Sequence, residues 1–155
     1  MKGSVRAVII DQYRILTIER FKPDPDRIFW AFPGGHIEES DKSLSDALKR
    51  ECEEEIGVEV SVIKKIWQRN SDGFNEIFYL CKMKKGEVEK GNGPEYEKNN
   101  NEYQGTHEPK WLDLERLQKF DLKPQVLRDE IIKNYKNEKN SQTDFKNADW
   151  SGLPR

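Results

Sequence analysis

Neither sign of charge prevails in this chain, and it has no apolar run long enough to cross a membrane. Lys and Arg number 27 against 29 Asp and Glu, a net charge of −2. That balance gives no electrostatic case for binding nucleic acid or an acidic membrane surface. A membrane helix needs about 20 consecutive apolar residues, and the first residues, Met1 to Arg6, lack the hydrophobic stretch of a signal peptide. A cytoplasmic location is the expectation. Cysteine is scarce too. Cys52 and Cys81 have neither zinc-site nor disulfide spacing, and Cys52 falls on an apolar helix position, so both are expected as buried free thiols. Only 34% of the 155 residues are hydrophobic, which predicts one domain around one compact core under a heavily charged surface. There is no internal repeat.

What the chain has in quantity is charge, and some of it stands in the wrong place. A helix beginning near Ser43 puts Leu44, Ala47, Leu48 and Cys52 on one side of a wheel turning about 100° per residue. Ser45, Asp46, Lys49, Arg50 and Glu53 cover the other side, as an amphipathic helix requires. Glu51 and Glu55 nevertheless fall near the middle of the apolar stripe, and Glu54 lies at its edge. A run of glutamates is ordinarily a solvated face, but here only Glu53 points squarely outward. Like charges three and four residues apart repel, and carboxylates near a helix C-terminus oppose its dipole. Clustered carboxylate oxygens are the ligands of hard divalent cations such as Mg²⁺, and an ion of that kind would offset both costs.

The flanks of this helix complete a unit. Trp30-Ala31-Phe32-Pro33-Gly34-Gly35 reads as an apolar strand ending in a Pro-Gly-Gly turn, where glycine lets the backbone approach a ligand closely. Gly57 follows Ile56 as a helix C-cap, and Val58 to Val62 alternates as a strand does. The segment from Gly35 to Val58 resembles the signature of the Nudix hydrolases, G-x5-E-x7-R-E-U-x-E-E-x-G-U with U apolar. Arg50-Glu51-Cys52-Glu53-Glu54-Glu55-Ile56-Gly57-Val58 matches its second half at every fixed position. The first half departs. Six places beyond Gly35 stands Asp41 where the family has glutamate, and eight places before Arg50 stands Lys42, so one residue is inserted. Asp41, Glu39 or Glu38 could supply the carboxylate if the loop bulges.

Elsewhere the pattern is α+β. Strands are predicted at Val5 to Ile10, Ile15 to Arg20, Ile28 to Phe32, Val58 to Arg69 and Glu76 to Lys84, the last two joined at Asn70-Ser71-Asp72-Gly73. From about Gly86 to His107 the chain is polar, either a binding loop or an exposed connection. Lys110 to Leu112 reads as a short strand and Leu114 to Leu117 as a turn of helix. A last helix from Pro124 to Tyr135 should turn Val126, Leu127, Ile131 and Ile132 inward. The domain is expected to occupy residues 1–136. Residues 137–155 form a polar tail, disordered by default, although Phe145, Trp150 and Leu153 leave open that it docks on its own domain or on a second subunit of a homodimer.

The family resemblance implies an α/β/α sandwich with a mixed, curved sheet, and Mg²⁺ or Mn²⁺ as cofactor. It also implies hydrolysis of the pyrophosphate linkage in a nucleoside diphosphate joined to another moiety, so the expected partner is a nucleotide-type small molecule. The ion would be held by Glu51, Glu54, Glu55 and the carbonyl of Gly35. Arg50 would orient the carboxylates, unless it makes only a solvent-facing pair with Glu54. The base would be Glu51 or an acid of the later loop, Glu95 or Glu102. For substrate contacts, Arg20 could bind phosphate, and Trp30, Phe32 or Tyr103 could stack on a base, with core packing the competing role for the aromatics. His36 could touch phosphate or simply face solvent. The alternative function is a Nudix-fold nucleotide-binding module that hydrolyses slowly or not at all.

Overall fold

The computed structural model describes residues 2–23, 25–85, 88, 105–138 and 145–155. Among these residues eight strands form one mixed sheet: β1 (Gly3–Asp11), β2 (Arg14–Lys22), β3 (Arg27–Ala31), β4 (Gly34–His36), β5 (Glu59–Ser71), β6 (Phe74–Lys85), β7 (Thr106–Asp113) and β8 (Leu122–Lys123). Helix α1 (Leu44–Ile56) packs on one face. Helix α2 (Gln125–Glu138) packs on the other, after a 3-10 segment at Leu114–Lys119.

The way β1 uses its edges creates the cleft. One edge runs parallel to β6 from Gly3 to Ile9. The other is shared, with Ser4 to Arg6 pairing with β4 and only Ile10 and Asp11 pairing with β2. Beyond that hairpin β1 and β2 part, and β2 continues between β3 and β7. The sheet therefore opens where β4 approaches α1.

Two apolar layers fill the sandwich. Val5, Ala7, Ile9, Leu16 and Ile18 meet Ala47, Leu48, Cys52 and Ile56 of α1. Val8, Ile10, Trp67, Phe78 and Leu80 meet Leu127 and Ile131 of α2. Cys52 and Cys81 are buried free thiols, and burial raises the pKa of both. The β5–β6 hairpin turns at Asp72 and Gly73, both with positive φ, as a two-residue turn between right-twisted strands requires. No helix among the described residues is long and apolar enough to cross a membrane.

Four sequence expectations need correcting. Gly34 and Gly35 lie in the short strand β4 rather than in a free turn. Thr106 and His107 belong to β7, which starts well before Lys110 because it pairs along most of β2. Val126 is exposed, while Glu130 and Asn134 of α2 are buried. Their covering is the fourth difference. Residues 145–155, read by default as disordered, lie on this face with Phe145, Trp150 and Leu153 in the core cluster. Asn134 Nδ2 donates to the Asp149 carbonyl at 2.9 Å, and the Trp67 indole donates to the Pro154 carbonyl at 2.7 Å.

Candidate active site

Helix α1 is fixed at both ends. The Ser43 hydroxyl accepts from the Asp46 amide at 3.0 Å, satisfying one of the unpaired first-turn donors. Gly57 closes the helix in the left-handed region with φ 70°, its N–H bonded to the Glu53 carbonyl, the conformation that favours glycine. This register leaves Glu51 and Glu55 only 9% and 6% exposed and turns Glu54 to the rim.

Strand β4 lies against the acidic face. The Gly34 amide donates to Glu55 Oε1 at 2.9 Å. A side chain at Gly35 would run into the carboxylate of Glu51, and one at Gly34, with φ 148°, into the Val5 carbonyl. Both glycines are therefore present for close approach.

Arg50 gathers the acids. Its Nε and Nη2 grip Asp41 Oδ1 and Oδ2, each at 2.9 Å. Nη1 donates to Glu51 Oε1 at 2.9 Å and to Glu54 Oε2 at 3.3 Å, and Nη2 also reaches the His36 carbonyl at 3.0 Å. Arg50 is thus more than a surface partner of Glu54. Such forked, charge-assisted bonds fix orientation as well as adding stability. The Arg50 bonds hold the Asp41 carboxyl below its usual pKa, and Asp41 and Glu51 push the guanidinium above its own.

Asp41 is the loop acid that reaches Arg50. Of the three acids open to that role, it alone forms the fork with Arg50, while Glu38 Oε1 stands 3.5 Å away. Its Oδ2 accepts from the Glu38 amide at 2.8 Å, which pins the loop.

The glutamates open on a cleft of about 350 Å³ bordered also by Arg6, Arg20, His36 and His107. Arg20 stacks over Phe29, 5.6 Å from the ring centre, and its Nε donates to the Thr106 carbonyl. His107, buried beneath, has its pKa lowered to about 4, chiefly by burial and then by the charges of Arg20, Lys22 and Arg6. It is neutral at pH 7. Two of the aromatic candidates turn their rings elsewhere, although Phe32 also borders the cleft. The Phe32 ring is fully buried against Phe78, and Trp30 packs edge-on to Phe120 on the α2 side. Both serve the core. Glu95, Glu102 and Tyr103 lie outside the described residues. Sequence reasoning passed over Arg6, though an isolated cation within the apolar strand Val5–Ile10 was the available signal. It named His107 without a role.

Among the described residues no three His, Cys, Asp or Glu side chains converge tightly enough to enclose an ion by themselves. Mg²⁺ seldom needs such a cage, since it commonly takes one or two carboxylates and completes its shell with water and substrate phosphate. Glu38, Glu51, Glu54 and Glu55 all border the cleft, two of them buried. An all-oxygen, acid-rich donor set of this kind fits a hard divalent cation.

The family model for the NUDIX domain matches residues 2–135. The chain belongs to the NUDIX domain family. The fold comparisons agree with that membership. A MutT structure, from work on the proteins of Aliivibrio salmonicida and Vibrio cholerae, superposes with a TM-score of 0.62 at 24% identity, covering 85% of this chain and 97% of the other. The E. coli ORF135 protein gives 0.61 at 22%, covering 96% and 95%. A NUDIX hydrolase from Nitrosomonas europaea gives 0.64 at 17%, covering 92% and 73%. At these identities the likeness is one of fold. A search of curated proteins finds no significant match. For this NUDIX chain the signature half from Arg50 to Val58 and the Asp41 fork therefore sit in the fold that the resemblance implied.

Proposed function

We propose that the protein is a Mg²⁺- or Mn²⁺-dependent hydrolase that splits the pyrophosphate linkage of a nucleoside diphosphate joined to another moiety, and that it works in the cytoplasm. The observation that carries this reading is the pair of buried carboxylates, Glu51 and Glu55, beside the rim acid Glu54 in a cleft that also bears Arg6 and Arg20. A pyrophosphate repels an attacking hydroxide, so its hydrolysis needs cations to offset charge and a base to take a proton from water.

In this reading Glu51, Glu54 and Glu55, with the Gly35 carbonyl, would hold the ion. Once bound, the ion neutralises phosphate charge and makes water easier to deprotonate. Arg50 positions Glu51 and Glu54, and Asp41 positions Arg50. Arg20 and Arg6 draw the phosphates against the glutamates, while neutral His107 supports the same wall without adding charge. Glu51 or a loop acid, Glu95 or Glu102, takes the proton. The inserted residue and the absent loop glutamate favour the binding module, whereas the Asp41 fork, which gives Arg50 a loop carboxylate, supports hydrolysis.

The test is a phosphate-release screen over nucleoside triphosphates, dinucleoside polyphosphates and nucleotide sugars, with Mg²⁺ and with EDTA, using the wild type and Glu54→Gln. Metal-dependent turnover that Glu54→Gln abolishes supports the proposal. Calorimetric nucleotide binding without turnover of any compound would overturn it in favour of the binding module.

A further inference from the structure

The cleft bordered by the glutamates has a neighbour. A second cleft, of about 530 Å³, lies alongside it, and His36 and Glu38 border both. A substrate with its phosphates at the glutamates would pass these two residues to reach the outer space.

The chemistry of the two clefts differs. The inner one carries Arg6 and Arg20. The outer one is lined by a single Lys, Lys2, and by the acids Glu38, Glu39 and Asp41, with Phe74 as its aromatic wall. Phe74 is one of three large apolar side chains exposed among the described residues, at 39%. The His36 ring meets it edge-on, with centroids 5.7 Å apart and planes at 77°. The two rings form a corner against which a third ring can stack. Asp41 is already bound to Arg50, but carboxylates such as Glu38 and Glu39 beside such a corner disfavour a further phosphate and accept hydrogen bonds from hydroxyl or amino groups.

We infer that the outer cleft receives a neutral, hydroxyl-bearing ring group, a sugar or a nucleoside, attached to the far side of the pyrophosphate. The favoured substrates then have a ring at both ends, and a nucleoside triphosphate, whose far end is bare phosphate, is a poor fit. This rests on the hydrolase reading of the inner cleft and specifies the second moiety.

Phe74→Ala, Phe74→Tyr and the wild type are to be compared on UDP-glucose, a dinucleoside diphosphate and UTP. Phe74→Ala should raise KM for the ring-ended compounds by about tenfold, the scale of losing one stacking partner. The KM for UTP should stay within about twofold, and Phe74→Tyr should restore the wild-type values. A loss confined to UDP-glucose identifies the ring as a sugar, and one confined to the dinucleoside diphosphate identifies it as a nucleoside. Equal KM values for wild type and Phe74→Ala on all three overturn the inference and leave the hydrolase reading standing. If the wild type turns over none of them, the hydrolase reading is decided by the wider phosphate-release screen. Calorimetry in EDTA then decides the outer cleft: an affinity for UDP-glucose or the dinucleoside diphosphate weakened by Phe74→Ala upholds it, and unchanged or absent binding of both overturns it.

Discussion

Neutralising Asp41 separates positioning from mere stability. Asp41→Asn keeps the shape of the side chain but removes one of the two oxygens that grip Arg50, and the Nδ2 that replaces it cannot accept the Glu38 amide. A hydrogen bond to a charged group contributes about 1.5–3 kcal/mol net. Arg50 retains Glu51 and Glu54 as partners, so no buried charge is stranded. The expected cost is about 2 kcal/mol, which in a domain of this size lowers Tm by roughly 4–8 °C. Catalysis should suffer more. Once Asp41 lets go, the guanidinium is free to swing toward Glu51 and Glu54 and compete with a cation for their oxygens, and losing a group that orients metal ligands typically costs about 10–100-fold in activity or metal affinity. The assay is kcat/KM as a function of Mg²⁺ concentration, read beside a thermal melt. A lowered Tm with kcat/KM and half-saturating Mg²⁺ both within twofold of wild type would refute the positioning role. In that event the fork only ties down a loop.

Other perturbations probe separate parts of the molecule. Gly35→Ala places a methyl group in the Glu51 carboxylate and should cut kcat by about a hundredfold or more in a protein that still folds; near-normal kcat would remove Glu51 from the chemistry. His107, with its folded pKa near 4 against about 6.5 unfolded, resists protonation in the fold, so the unfolded state binds more protons between those values. Stability should fall as pH drops from about 6.5 to 4, and urea melts of His107→Gln should lack that part of the slope; parallel profiles would count against it. Trp150→Ala, which empties a 9% exposed position, should destabilise the domain by about 3 kcal/mol, whereas an unchanged melt would mean that residues 145–155 do not pack on the sheet in solution.

The acidic helix was the most legible part of the sequence because two periodicities disagreed there. Apolar spacing put Glu51 and Glu55 inside and charge put them outside, and the proposed cation site would accommodate both. Strand positions followed from alternation. The ends of β7 did not, because Thr106 and His107 are strand only by virtue of pairing with β2, a long-range contact with no local signature. Trp30 and Phe32 show the opposite limit. Their residue types suit stacking on a base as well as they suit the core, and only the side of the sheet decides. Asp41 was visible as one of three acids but could not be singled out, since a bulge in the loop determines which carboxylate reaches Arg50.

The docking of the last described residues also makes the protein its own optical gauge. Trp67 and Trp150 both sit where residues 145–155 meet the sheet, and the Trp67 indole N–H is bound to a carbonyl of that segment. Trp30 and Trp111 lie on other elements. Detachment of the segment would wet two of the four indoles at once and shift their emission to longer wavelength, while the pairing of β2 with β3 and β7 need not change. Fluorescence followed during denaturant titration, beside far-ultraviolet circular dichroism, would then show whether the strap and the sheet come apart together or in sequence.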